Sequence, residues 1–379
     1  MNASDHLVVG AGLAGAATAW RLAQRGAAVT VVERRTPAAP DASSHGSARI
    51  FRYGYAQQHY ADLVVRSLPG WRELEHEHGA PLITPTGTLD FGAERDPHAL
   101  AGVLTAAGVE HELVPQEEAR ARWPQLVVDS DVLHHSGGGV IDAHGAVDAM
   151  IAAAVALGAR VLTDWPLARL ERTGAGFTAH STDGRTESAG HVVVSAGGWL
   201  PDLLGELSLP AGFVEAFPAL TVREENAFHF PYAEDVAPAA SWPTFIHKRS
   251  DIQVYGLPGG RDADFRGQKV AEYDGGRVLR SAADQSGVVD PANRARVVEH
   301  VRRFAPGLVP EPYAETTCLF TSTPGEDFVV DGADGVTVLS PCSGHGAKFA
   351  PLLGEFAADL ATGGTAVPAF FRVPVTARA

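Results

Sequence analysis

Apolar and glycine positions set the pattern of the first third of the chain. An apolar run from His6 enters Gly10-Ala11-Gly12-Leu13-Ala14-Gly15, an Ala-rich stretch follows to Arg25, and Ala28 to Val32 is apolar again. This predicts strand, tight turn, helix and strand, one βαβ unit that closes at Glu33. Residues 34–60 read as a polar connection rich in Ser, Pro and Ala. Leu82 to Phe91 predicts a pair of strands, and helices are predicted from His98 to Ala107 and from Gln116 to Arg122, the second stopped by Pro124. Ala143 to Leu157 has helix composition, and Gly158 to Leu162 returns to a strand beside the first sheet. Alternation around Leu170 to His180 predicts a small meander, and Val192 to Val194 a core strand ending in Ser195-Ala196-Gly197-Gly198-Trp199. Between residues 215 and 275 the period is near two, broken by Pro and Gly, as in an antiparallel sheet. A helix from Pro291 to Phe304, an apolar run from Val336 to Leu339, a glycine turn and a last helix to Leu360 complete the pattern.

The expected fold is therefore α/β: a Rossmann-type nucleotide-binding domain interleaved with an α+β lobe built on an antiparallel sheet. The first takes residues 1–60, 140–210 and 315–379, and the second, the substrate lobe, takes residues 61–139 and 211–314. A length of 379 residues accommodates two such lobes, and 45% hydrophobic with 20% charged residues is ordinary for a globular protein.

Charge and cysteine content narrow the function classes. The net charge of −15 argues against nucleic acid or an anionic membrane as partner. Two distant cysteines, Cys318 and Cys342, form no disulfide framework or zinc spacing, which fits a reducing compartment. No uninterrupted apolar run of about 18 residues suggests a membrane span, and no secretory signal pattern precedes Leu7. A cytoplasmic monomer is expected.

Gly10, Gly12 and Gly15 stand between a predicted strand and helix, with Glu33 closing the next strand, so the dinucleotide fingerprint occurs in its required context. Glycines let the backbone approach a pyrophosphate, the helix N-terminus offers free N–H groups, and Glu33 can accept from ribose hydroxyls. Ala11, Leu13, Ala14 and Arg34 belong to the same cradle, as do Ala196, Gly197 and Trp199 after the core strand. The fingerprint alone fits FAD or a nicotinamide cofactor. Interruption of the nucleotide domain by a second lobe favours FAD.

Three further segments carry a resemblance: Ser44-His45-Gly46-Ser47-Ala48-Arg49-Ile50-Phe51-Arg52, then Cys318-Leu319-Phe320-Thr321-Ser322-Thr323-Pro324 with Asp327-Phe328 beyond, and Ser343-Gly344-His345-Gly346-Ala347-Lys348-Phe349. With the glycine motif these segments resemble, in the same order, the monomeric sarcosine oxidase and N-methyltryptophan oxidase family of the D-amino acid oxidase superfamily. The resemblance implies that Cys318 holds the flavin covalently and that Ser44, His45, Arg49, Gly344, His345, Gly346 and Lys348 lie at the cofactor. It implies that Arg52 and Lys348 clamp a substrate carboxylate, a planar fork beside a point charge. His45 and Arg49 would stabilise the anionic reduced flavin, with a purely structural histidine as the alternative. Lys269 would activate oxygen, although its loop is slightly longer than in the sarcosine oxidases.

The substrate side departs from the family pattern. Phe320 replaces a tyrosine, Tyr273 a histidine, and Ala347 a bulky aromatic, so with Tyr255 and Ile246 nearby a larger or cyclic amino acid is expected. The expected reaction is hydride transfer from an N-methyl or pipecolate-like amino acid to flavin N5, then reoxidation by O2 to give imine and hydrogen peroxide. A dehydrogenase using another acceptor and a non-catalytic dinucleotide sensor are the alternatives. No metal site is expected: Glu75-His76-Glu77-His78 reads as a solvated helix end, and His134-His135 as a turn. Cys342 lacks the neighbours of a hydrolytic nucleophile.

Overall fold

The computed structural model describes residues 4–174, 176–233 and 242–374. Its first strand, Ser4–Val9, lies between parallel neighbours Val29–Val32 and Thr186–Val194. Val8, Val31 and Val193 are buried in one core, and Leu7, Val9, Val192 and Val194 in another, so both faces of the sheet are covered. That is why these strands read as continuous apolar runs rather than alternating ones. Among the described residues this sheet has eight strands, with the meander Leu167–Thr173 and Gly176–Ser181 at one end and Arg160–Leu162 at the other. Val336–Ser340 pairs with Thr186–Val194 and carries Val329–Ala333 on its far side.

Helices Leu13–Gln24, Ala143–Ala156 and Ala350–Ala361 cover one face through small residues. Their approach is close: a Cβ added at Gly354 would lie 2.6 Å from the Cβ of Ala17. The helix Gln58–His78, not anticipated from the sequence beyond its charged end, packs Tyr60, Leu63, Val64, Trp71 and Leu74 into the same core. By its packing, this part of residues 61–139 therefore goes with the nucleotide-binding layers.

The second sheet has nine strands among the described residues. It is antiparallel except where Thr244–Lys248 runs parallel to Thr88–Phe91. Leu89, Phe91, Phe228, Phe230, Val254 and Val270 pack its back face against Val297 and Val301 of the helix Pro291–Phe304. The other face turns toward the first sheet. Ala314–Ser322, which the sequence places from residue 315 in the nucleotide-binding domain, pairs from end to end with Thr221–Pro231. Pairing thus moves this strand into the second lobe.

Two local expectations need correction. Leu82 to Phe91 holds two strands, but they do not pair: Ile83–Pro85 joins Gly139–Ile141 and Arg49–Phe51 in a three-stranded sheet, whereas Thr88–Phe91 enters the large one. His134-His135 is no turn but the end of the strand Val132–His135, where His135 is fully buried because it faces Asp90. Glu75, at the helix end, accepts from the backbone N–H groups of Leu82 and Ile83, both at 2.9 Å. Among the described residues no cluster of His, Cys, Asp and Glu could hold a metal ion, and no helix is long and apolar enough to cross a membrane.

Candidate active site

A cavity of about 760 Å³ lies between the two sheets. At one end the backbone bends around Gly10, whose φ of +95° favours glycine and where a Cβ would fall 2.4 Å from the Ser195 carbonyl oxygen. Gly12 is the N-cap of the first helix, so no cap side chain fills the helix start. Gly15 does not reach the cavity; its missing Cβ lets the helix rest on the strand, since a Cβ there would lie 1.9 Å from the Gly10 carbonyl oxygen. Ala11 is likewise behind the wall, donating its N–H to Glu33 Oε2 at 2.7 Å. Gly10, Gly12, Leu13, Ala14, Glu33 and Arg34 line this end, and Arg34 lies over the Trp199 ring at 4.8 Å. Ser44 accepts from the Leu13 N–H at 3.0 Å, and Ala196, Gly197 and Trp199 form the opposite wall.

The middle of the cavity is flanked by positive charge. Arg49 donates to the carbonyls of Ser43, His45 and Ala48 at 2.7 to 2.9 Å, which fixes its guanidinium at the wall. Lys269, 5% exposed, sits on the front of the second sheet. Burial first, and Arg49 next, lower its ammonium from 10.5 to about 8. Cys318 also lines the wall, and burial pushes its thiol up against the opposing pull of Lys269 and Arg49. His45 stands behind this wall rather than on it. Burial, then Arg49 and Lys269, lower it to about 3, so it is neutral at pH 7.

The far end holds the remaining candidates. Lys348 is 3% exposed, and its Nζ donates to the Tyr55 hydroxyl at 2.9 Å and to the His345 carbonyl at 2.8 Å. Its own carbonyl accepts from Ser67 Oγ and Trp71 Nε1, so the Gln58–His78 helix sets its backbone. Burial, then Arg52, hold its pKa well below the ordinary lysine value. The Arg52 guanidinium lies 4.4 Å from the Tyr55 ring centroid and donates to the Gly54 carbonyl. Ile246, Tyr255, Tyr273 and Phe320 complete the wall, with Gly344, His345 and Gly346 in the turn above. Gly344 (φ +69°) must be small there, since a Cβ would meet the Phe320 ring at 2.8 Å.

The residues fit a long dinucleotide cofactor: a glycine cradle, an acidic ribose acceptor and a continuous cavity leading to a cationic end. A family model described as FAD dependent oxidoreductase matches residues 5–360. The chain belongs to that family. This FAD dependent oxidoreductase is 32% identical over 378 residues to a monomeric sarcosine oxidase from Streptomyces avermitilis, covering 96% of this chain and 95% of the relative. It is 29% identical over 373 residues to an N-methyl-L-tryptophan oxidase from Escherichia coli, covering 94% of each. The solved structure of NikD, described as an unusual amino acid oxidase essential for nikkomycin biosynthesis, aligns with a TM-score of 0.86 at 25% identity over 98% of each chain.

In this FAD dependent oxidoreductase the fold also brings residues to the cavity that sequence reasoning missed. Tyr55, Arg95, Lys248, Gln253 and Glu326 line its far end. Tyr55 lies in the irregular segment 52–55 that follows the strand Arg49–Phe51, where no periodic pattern marks a side chain as facing the cavity. Arg95 and Lys248 look in sequence like ordinary surface cations, and they meet only because Thr244–Lys248 runs parallel to Thr88–Phe91, the strand whose following turn carries Arg95.

Proposed function

We propose that this chain is an oxidase of a secondary or cyclic amino acid, and that O2 is its electron acceptor. The single observation that carries the reading is the arrangement of Arg52 and Lys348 around Tyr55 at the end of a cavity that begins at the glycine cradle. FAD would be held by the cradle and Glu33, with Cys318 linked by a thioether to a methyl carbon of its ring system; once bound, it supplies the hydride acceptor and the reductant of oxygen.

The side chains divide the remaining work. Arg52 and Lys348 would bind the carboxylate, and an arriving anion favours the charged form of Lys348 that burial disfavours. Tyr255, Ile246 and Phe320 would hold the carbon skeleton so that the carbon beside nitrogen faces the cofactor, and their apolar surfaces exclude water. Lys269 would place its charge where oxygen takes up electrons, while Arg49 and the neutral His45 dipole orient positive potential to the same region. The imine product leaves for hydrolysis in water, and peroxide is the second product.

Oxygen uptake tests the reading. FAD-loaded protein given N-methyl amino acids and pipecolate should consume oxygen, and added catalase should return half of it. Turnover with an artificial acceptor but not with oxygen would make the protein a dehydrogenase.

A further inference from the structure

We propose that Lys248 and Arg95 form a second carboxylate-binding place beside the Arg52 and Lys348 clamp, so that the amino acid oxidised here is an acidic one with a side-chain carboxylate. The inference rests on the oxidase reading above and names its substrate class.

The second sheet places the group. Ile246 pairs with Tyr255 on one side and with Asp90 on the other, and Lys248 pairs with Gln253. Ile246 and Lys248 are two apart on one strand, so they project on the same face about 7 Å apart. The skeleton wall and the added cation are therefore consecutive positions of one row. Arg95 is 9% exposed and lines the same cavity. Its Nε donates to Asp90 Oδ1 at 2.7 Å and its Nη2 to the Gly54 carbonyl at 2.7 Å, the carbonyl that Arg52 also meets. Among the described residues its Nη1 makes no hydrogen bond, and Lys248 has no carboxylate within 4.0 Å.

Charge balance separates one anion from two. Arg52, Arg95, Lys248 and Lys348 are opposed at this end by Asp90 behind Arg95 and by Glu326 at the rim, where Glu326 accepts from the Tyr273 hydroxyl at 2.7 Å. Asp90 is already paired with Arg95, Glu326 is engaged by the Tyr273 hydroxyl, and burial and Arg52 disfavour the charged form of Lys348 until an anion arrives. One substrate carboxylate therefore matches the Arg52 and Lys348 clamp, which leaves Lys248 and Arg95 Nη1 for a second. Burial, then Arg95 and Arg52, lower the Lys248 ammonium against the smaller opposing pull of Glu326 and Asp90. The buried Asp90 keeps Arg95 rigid, which makes it a preorganised donor rather than a solvated surface charge.

The test compares acids with their own amides on the FAD-loaded protein. N-methyl-L-aspartate and N-methyl-L-glutamate should reduce the flavin anaerobically with at least about tenfold higher efficiency than N-methyl-L-asparagine and N-methyl-L-glutamine, the scale of one charge-assisted hydrogen bond. Lys248→Met should remove most of that advantage and Lys248→Arg should keep it. Arg95→Gln would strand the buried Asp90 and disturb folding, so Lys248 carries the test. Succinate should raise Tm more than butyrate in the wild type, and the difference should shrink in Lys248→Met, a readout independent of turnover. Equal efficiency for acids and amides, with equal shifts for succinate and butyrate, overturns the second place while the oxidase reading stands. Lys248-dependent succinate binding without flavin reduction by any secondary amino acid upholds the place and overturns the oxidase reading.

Discussion

Lys348 donates from Nζ to the Tyr55 hydroxyl at 2.9 Å, and the guanidinium of Arg52 lies over the same ring at 4.4 Å, so one phenol aligns both cations. Burial pushes the Tyr55 hydroxyl well above its ordinary pKa, which keeps it a neutral partner at every working pH. Tyr55→Phe should weaken carboxylate binding by about 1 to 3 kcal/mol, the cost of losing one hydrogen bond to a charged group. Arg52→Ala should cost more, about 2 to 5 kcal/mol, because it unpairs a desolvated carboxylate. Substrate titrations of the flavin spectrum measure both, and a decarboxylated analogue should bind all three proteins equally weakly.

Cys318 is expected to keep the flavin with the protein after acid precipitation. The pellet of the wild type should be yellow and that of Cys318→Ser colourless, with the flavin in the supernatant. A colourless wild-type pellet removes the thioether from the account.

Lys269 should govern the reaction with oxygen. With its pKa lowered to about 8, the ammonium is charged below that pH and neutral above it, so reoxidation of the reduced enzyme should slow as the pH rises through about 8. Lys269→Met should slow reoxidation about 100-fold at neutral pH and erase this step, as expected on losing a preorganised charge at a developing anion. Anaerobic reduction by substrate should change far less. Stopped-flow absorbance separates the two half-reactions.

Gly10→Ala should lose cofactor. A side chain at φ +95°, with the Ser195 oxygen 2.4 Å from its Cβ, forces the first turn away from the strand ends that shape the cradle. The flavin-to-protein ratio after purification should fall well below that of the wild type, while far-UV circular dichroism stays near native.

The sequence made the nucleotide half legible because its signals are local: a glycine turn between an apolar strand and an Ala-rich helix occupies thirty residues. The substrate half depends on contacts far apart along the chain. Thr244–Lys248 meets Thr88–Phe91 in parallel, and no periodicity within either strand announces that pairing. The strand ending at His135 looked like a turn because two adjacent histidines are polar, yet His135 turns inward to Asp90 and Tyr53. Pro69 lies inside the Gln58–His78 helix, which hid that helix, although Trp71 and Ser67 on it hold the Lys348 carbonyl. Positions within the quoted segments were readable, whereas Tyr55, Arg95 and Lys248 fell outside any motif.

An anaerobic titration followed by air tests whether the protein is an amino acid oxidase. Secondary amino acids should be added under argon to FAD-loaded protein while the flavin absorbance is followed, and air then admitted. Bleaching by one equivalent of a secondary amino acid, recovery of the oxidised spectrum within seconds of mixing with air, and one equivalent of hydrogen peroxide are expected. A flavin that stays oxidised with every secondary and cyclic amino acid tried, or one that is reduced but remains so in air, would contradict it.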